Sequence, residues 1–156
     1  MTRMSIVLPW GLALFASAAI TQAAVPASRA ESKNMELVGY SDLQNRSAYQ
    51  PIIHKQGNRW IAYVGHHGGE VMNPQTGKTE PNGTSVVDVT DPKKPVYLAH
   101  IPGEPKTRGG EAGGAQMVRM CPGSELPHAD KSKFYLLRAY GNTAHEIWDV
   151  SNPARP

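Results

Sequence analysis

Histidine has the widest chemical range of any residue type in this sequence, and two of its six histidines are adjacent. His66 and His67 end an apolar run and precede Gly68-Gly69, where a strand gives way to a loop. Adjacent side chains on a strand point to opposite faces, so both rings can bind one ion only if the pair lies in the loop. His145 and Glu146 look like an acid–base pair but meet the same geometric objection. Two interpretations stay open: histidines that end strands, or a divalent-metal site formed by His66, His67 and His145.

No catalytic or cofactor motif accompanies these histidines. The sequence contains no H-x-H, H-E-x-x-H, C-x-x-C, G-x-S-x-G, P-loop or dinucleotide fingerprint. Cys121 is the only cysteine, and its place between an apolar run and Pro122-Gly123 favours a structural thiol over a nucleophile. Asp88 and Asp149 lie inside apolar runs at equivalent repeat positions. We interpret them as architectural residues that accept hydrogen bonds from a neighbouring turn.

An internal repeat organises these residues. VVDVTDPKKP at 86–95 and IWDVSNPARP at 147–156 share an aspartate, a valine and two prolines in one register. Upstream, WIAYVGHHG at 60–68 aligns with KFYLLRAYG at 133–141, which places Trp60 opposite Lys133. The Asp-Pro and Asn-Pro steps predict Asx-turns, and the second proline then opens a new strand. Each repeat therefore contains a strand, a tight turn and another strand.

Short strand-like runs separated by turn residues cover the chain from Met35 onward, without helical periodicity. The first repeat predicts four strands, A to D, at 48–54, 60–66, 84–90 and 96–101. The second predicts strands A to C at 115–120, 133–139 and 145–150. Repeated four-stranded antiparallel units are typical of propeller blades. We therefore predict an all-β fold, a partial β-propeller of about two antiparallel blades, of which the second lacks its last strand. The predicted divisions are a first blade over 35–101, a connector over 102–114 and a second, incomplete blade over 115–156.

The repeat resembles that of the bacterial LVIVD-repeat proteins. TSVVDVTDPKKP and HEIWDVSNPARP match their strand of the type I-V-D-V-S-D-P followed by a second proline. SAYQPIIHKQGNRWIAYVGHHGG and GEAGGAQMVRM look like the opening of larger exported members. The resemblance implies a β-propeller whose remaining blades lie C-terminal. We therefore expect either missing C-terminal blades or self-association to complete the module.

Blade topology predicts where a binding site would form. In a four-stranded antiparallel blade, the B–C loop and the connection from D to the next strand A emerge on one face. Loops held on a rigid scaffold are where binding groups concentrate. The candidate binding residues on this face are Arg46, Tyr49, Gln50, His66, His67, Glu111, Gln116, Arg138, Asn142 and His145. The simpler alternative is that these residues only solvate a loop surface.

The first 23 residues have the parts of a secretory signal peptide. Arg3 supplies the positive charge, residues 6–20 are almost wholly apolar, and Thr21-Gln22-Ala23 offers small residues for cleavage. An apolar run of about 15 residues is short for a membrane span. We predict export to the periplasm or the extracellular space, no transmembrane span after cleavage, and a polar linker over 24–34.

Charge gives no support to a nucleic-acid partner. The formal net charge is +3, it becomes +2 when Arg3 is removed, and the sequence has no basic block. Two function classes remain. The first is an exported binding or interaction module. The alternative is a propeller enzyme with its pocket on the candidate binding face, either with or without a metal ion. The ligand, substrate and cofactor stay open.

Overall fold

The computed structural model describes residues 33–105 and 110–156, without the side chains of 110–113. The predicted signal peptide (1–23) and all but the last two residues of the predicted linker (24–34) lie outside these ranges. Residues Glu36–Pro156 form one compact unit. Across the described part of the chain, no helix has the length and apolar character needed to cross a membrane.

The described ranges form an all-β fold. Their strands, numbered in chain order, are β1 Tyr49–Gln56, β2 Arg59–Gly65, β3 His67–Gly68, β4 Glu70–Asn73, β5 Lys78–Pro81, β6 Thr84–Asp88, β7 Val96–Ile101, β8 Gly110–Gly114, β9 Val118–Pro122, β10 Phe134–Tyr140 and β11 Ala144–Asp149. Two short 3-10 turns, Leu43–Asn45 and Gly123–Glu125, accompany them.

Two antiparallel sheets correspond to the predicted blades. The first has the strand order β1-β2-β6-β7, and the second has the order β11-β10-β9. Among the described residues, the predicted four-stranded first blade and three-stranded second blade are confirmed. Two small ladders, β3 with β8 and β4 with β5, stand beside them. The β4–β5 hairpin lies inside the B–C loop and was not predicted, although Asn73-Pro74 and Gly77 mark its turn.

The repeated aspartates end equivalent strands in the same way. An Oδ1 atom of Asp88 accepts from the Thr90 backbone N–H at 2.9 Å, and that of Asp149 accepts from Ser151 at 3.0 Å. Their Oδ2 atoms accept from Arg59 Nε at 2.9 Å and from Lys133 Nζ at 2.7 Å. The architectural interpretation of these aspartates is confirmed.

The Asx-turns are also confirmed. Asp91 Oδ1 accepts from the Lys93 N–H at 3.0 Å, and Asn152 Oδ1 accepts from the Ala154 N–H at 3.2 Å. A backbone hydrogen bond from residue i+3 closes each turn. The prolines that follow Asp91 and Asn152 restrict φ and favour this conformation.

The alignment of Trp60 with Lys133 is wrong by one residue, as the strand pairing shows. The cation bound to the repeated aspartate is Arg59 in one blade and Lys133 in the other, so these two residues are equivalent. In agreement, Ile61 lies opposite Asp88, and Tyr135 lies opposite Asp149. A shift of one residue moves every side chain of a strand to the other face of the sheet. The pairing therefore decides which faces of the two blades correspond.

Apolar residues form two clusters on opposite faces of the first sheet. We call the larger one the inter-sheet core, because both sheets contribute to it. Its buried members are Ile61, Tyr63, Val86, Ala99, Ile101, Val118, Met120, Leu136 and Val150. The smaller one, the outer cluster, comprises Leu43, Ala62, Val64 and Val87. Strand β2 is buried on both faces because one face packs on the second sheet and the other beneath Leu43.

Candidate functional site

The predicted loops do meet at one end of the sheets. His67 pairs with Gly114 in the β3–β8 ladder. The Ala115 N–H donates to the His66 carbonyl at 3.1 Å, and the Gly141 N–H donates to the Gly114 carbonyl at 3.0 Å. These bonds join the segment after β2, the connector before β9 and the turn after β10. The prediction that B–C loops and the D–A connection share one face is confirmed for these residues.

Three of the candidate residues make one group at this end. The rings of Tyr49 and His67 meet edge to face, with centroids 4.8 Å apart. Gln116 Nε2 lies 3.3 Å from His67 Nδ1. Gln50 is exposed, has a φ of 38°, and occupies the register shift of β1 between Tyr49 and Ile52. Such bulges redirect side chains at strand ends.

The candidates of the second blade lie apart from this group. Asn142 and His145 are exposed and line a shallow cavity of about 310 Å³ around the β10–β11 turn. The side chain of Glu111 lies outside the described part of the chain. Within residues 33–105 and 110–156, no hydrogen bond or ring contact joins His145 to His66 or His67.

His66 points away from His67, into the protein. Its Nδ1 donates to the Ser47 carbonyl, and its Nε2 accepts from Ser85 Oγ at 2.8 Å. Burial lowers the pKa of His66 to about 4, the bond to Ser47 opposes this shift, and the nearby His100 and Arg46 add to it. The ring is therefore neutral near pH 7. Because both ring nitrogens are bonded to protein groups, the His66 ring has no free nitrogen to offer to a substrate or metal.

The three histidines proposed as metal ligands do not assemble. Both ring nitrogens of His66 are bonded to serine residues, while His67 contacts Tyr49 and Gln116. Over residues 33–105 and 110–156, no group of three His, Cys, Asp or Glu side chains is arranged to hold a metal ion.

Arg138 joins the two sheets instead of facing solvent. It is 1% exposed, and its Nε donates to Glu146 Oε2 at 2.9 Å. Its Nη1 donates to the Ile101 carbonyl at 2.8 Å, and its Nη2 donates to the Pro102 carbonyl. The guanidinium also lies 5.4 Å from the Trp148 ring centroid. Since β7 ends at Ile101, these bonds tie the second blade to the last strand of the first.

A second group of polar side chains lies beside the outer cluster, on the face of the first sheet away from the second. We call it the enclosed polar group. Its members are Arg46, His66, Glu80, Ser85, Tyr97 and His100. His100 Nδ1 lies 2.9 Å from Glu80 Oε2, and its ring centroid lies 6.1 Å from that of His66. The β4–β5 hairpin supplies Glu80, and its Val71 carbonyl accepts a hydrogen bond from Arg46.

Electrostatics in the enclosed polar group follow from burial. Burial lowers the pKa of His100 to about 4, although its bond to Glu80 opposes the shift. Burial tends to raise the pKa of Glu80, but hydrogen bonds from His100, Asn73 and Thr76 outweigh it and lower that pKa. At neutral pH the group therefore holds one guanidinium, one carboxylate and two neutral imidazoles.

Sequence reasoning selected Arg46 and His66 but missed Glu80, Tyr97 and His100. One signal was available, because His100 interrupts the apolar run VYLAHI. Arg46 reaches its place after a turn in which Leu43, Gln44 and Asn45 all have positive φ, between 50° and 61°. Left-handed backbone is costly for residues other than glycine.

The outward face of the second sheet carries an open apolar surface. A cavity of about 440 Å³ lies there, lined by Arg119, Cys121, Leu126, Ala129, Tyr135, Leu137 and Ile147. Leu137 is 42% exposed and Ile147 is 72% exposed. We call this surface the open face.

Comparison with known proteins adds no identification. No protein-family model matches the chain, no curated protein matches it, and no solved structure matches it.

Proposed function

We propose that this chain is an exported interaction module whose open face binds a further repeat of the same kind. One observation carries the proposal. The open face is the counterpart, in the second blade, of the face that the first blade buries against the second. The structure of the chain thus contains one example of the contact we propose.

Strand pairing supplies the correspondence. Ile61 and Tyr135 lie opposite the repeated aspartates, and the pair Tyr63–Val86 corresponds to the pair Leu137–Ile147. Ile61, Tyr63 and Val86 are fully buried because the second sheet covers them. Their counterparts Tyr135, Leu137 and Ile147 line the open cavity. The same packing would cover them with residues like Val118, Met120, Leu136 and Val150.

Two contributions to the binding free energy favour such a partner, namely burial of apolar side chains and pairing of an edge strand. Complete burial of a large aliphatic side chain is worth about 1.5–3 kcal/mol, and Leu137 and Ile147 both remain substantially exposed. In addition, β11 is an edge strand, whereas its counterpart β6 is paired with β7. An unpaired edge adds a strand readily. A further repeat that contributes its own strand D would pair with the edge of β11 and cover the open face.

A second intact copy fits this surface less well than a further repeat. The complementary surface of the second blade is already used in the inter-sheet core. The corresponding surface of the first blade, formed by Ala62, Val64 and Val87, is covered by Leu43. A second copy would first have to displace the segment that holds Leu43.

An extended chain tests the proposal. Pro156 is equivalent to Pro95, so residues 96–156 can be repeated directly after Pro156, with serine in place of the second cysteine. Cys121 lines the open face and reports its coverage. We expect maleimide labelling of Cys121 to slow by about tenfold or more in the extended chain, because the reagent then needs local opening.

Matched variants make this result specific. Leu137→Lys should restore fast labelling in the extended chain, whereas Ile53→Lys, at an exposed position of β1, should not. Equal labelling rates in the original and extended chains would contradict the proposal. Sedimentation of the original chain provides a second check. A dimer that protects Cys121, and that Leu137→Lys dissociates, would make a second copy the partner and overturn the proposed one.

A further inference from the structure

Among the residues that the structure describes, two arginines are buried, and they differ in how their hydrogen-bond donors are satisfied. Arg138 is 1% exposed and bonds to one carboxylate and two backbone carbonyls. Arg46 is 5% exposed, and its Nη2 donates to the Val71 carbonyl at 3.1 Å. The Nε and Nη1 atoms of Arg46 are enclosed and have no hydrogen-bond partner in the described part of the chain. A buried charge is costly unless it is paired and hydrogen-bonded.

The carboxylate in the same group does not supply the missing partner. Glu80 Oε2 accepts from Asn73 Nδ2 and lies beside His100 Nδ1, both at 2.9 Å. Glu80 Oε1 accepts from Thr76 Oγ1 at 2.7 Å. Within the described ranges, the ion pairs of Glu80 and of the other acidic residues do not include Arg46. In the described part of the chain, Arg46 is thus a buried cation without an ion pair, and the Glu80 carboxylate acts on it only at longer range.

Two further atoms of the enclosed polar group also have no hydrogen-bond partner among the described residues. They are the Tyr97 hydroxyl and His100 Nε2. Electrostatic interactions link Arg46 with Tyr97 and His100, and also with the Glu80 carboxylate. Because His100 Nδ1 must carry the proton that it shares with Glu80, Nε2 of the neutral ring is an acceptor. The group therefore offers several donors from Arg46 and Tyr97 and one acceptor from His100.

We propose that the enclosed polar group is a binding site for a small oxyanion, with Arg46 as its anchor. A guanidinium pairs with carboxylate and phosphate oxygens through charge-assisted hydrogen bonds. The Tyr97 hydroxyl adds a neutral donor. The acceptor at His100 suits an oxyanion that keeps a hydroxyl group, such as hydrogen phosphate, better than a simple carboxylate. Because Arg46 and His100 are both buried, ligand exchange requires local opening of the segments around them.

Anion titrations of the full chain test this site. Thermal unfolding is followed at pH 7 in sodium phosphate, sodium formate and sodium chloride at matched ionic strength. We expect a saturable rise in Tm with phosphate, a weaker one with formate and none beyond the salt effect with chloride. A stronger response to formate than to phosphate would overturn the assigned role of His100. No saturable response to either anion would overturn the site, because ordered water would then satisfy these atoms.

Substitutions locate the response. Arg46→Gln should abolish the phosphate effect, and Arg59→Gln, at a partly exposed arginine paired with Asp88, should retain it. Tyr97→Phe removes only a hydroxyl group and keeps the test valid if Arg46→Gln does not fold. We expect Tyr97→Phe to weaken phosphate binding by about tenfold, as loss of a hydrogen bond to a charged group does. An unchanged phosphate response in Arg46→Gln, or unchanged affinity in Tyr97→Phe, would contradict the proposal.

Discussion

Replacing Arg138 with glutamine should weaken the connection between the two blades and lower the free energy of unfolding. Arg138 connects β10 to Glu146 and to the carbonyls of Ile101 and Pro102 at the end of the first sheet. Glutamine is shorter and neutral, so it cannot reach all three acceptors. Removing one partner of a buried ion pair typically costs about 3–5 kcal/mol.

The structure places the expected loss near the lower end of that range. The Glu146 side chain is 28% exposed, and it still accepts from Trp148 Nε1 at 2.9 Å after the substitution. Water and Trp148 therefore compensate part of its charge. The carbonyls at the end of β7 lose their donors, at about 1–3 kcal/mol for each one left unsatisfied. We expect Arg138→Gln to lower the free energy of unfolding by about 3 kcal/mol. For a domain of this size that corresponds to a fall in Tm on the order of 10 °C.

Urea unfolding measured by tryptophan fluorescence checks this value. Lys133→Gln is the matched control, because Lys133 also pairs with a carboxylate from the neighbouring strand β11, but both side chains are more than 40% exposed. Exposed pairs contribute little to stability. Arg138→Lys keeps the charge without the planar fork and should fall between the wild-type chain and Arg138→Gln. If Arg138→Gln were no more destabilising than Lys133→Gln, the assignment of Arg138 as the connection between the blades would be refuted.

Two other predictions concern pH and export. The free energy of unfolding should fall as pH drops from about 6.5 to about 4, because His66 and His100 stay neutral in the folded chain while unfolded histidines gain protons. The slope should reach about 1.4 kcal/mol per pH unit for each histidine, and His100→Gln should roughly halve it in pH-dependent urea titrations. An unchanged slope in that variant would contradict the burial argument. Protein recovered from the periplasm or medium should begin at Ala24 or Val25 on N-terminal sequencing, and an intact Met1 would refute signal cleavage.

The strands of the two blades and their Asx-turns could be predicted from the sequence because their causes are local. Asp88 and Asp149 accept from residues two positions ahead, and the Asx-turns at Asp91 and Asn152 close within four residues. Such short-range chemistry recurs wherever the sequence recurs. The repeat therefore predicted the blade pattern and the shared end of the loops.

The correspondence between blade faces could not be predicted in the same way. The alignment of 60–68 with 133–141 was one residue from the register that the sheets adopt. In a strand, one residue separates the buried face from the open one. Only the pairing with β6 and β11 showed that Leu137 and Ile147 correspond to the buried Tyr63 and Val86.

The enclosed polar group depends still more on tertiary structure. Arg46, Glu80 and His100 come from the segment before β1, from a hairpin within the B–C loop and from the last strand of the first blade. From the sequence, Arg46 and His66 could be recognised only as polar residues near predicted loops. Whether a charge is buried without a counter-ion depends on which distant segments surround it, and only the folded chain determines that.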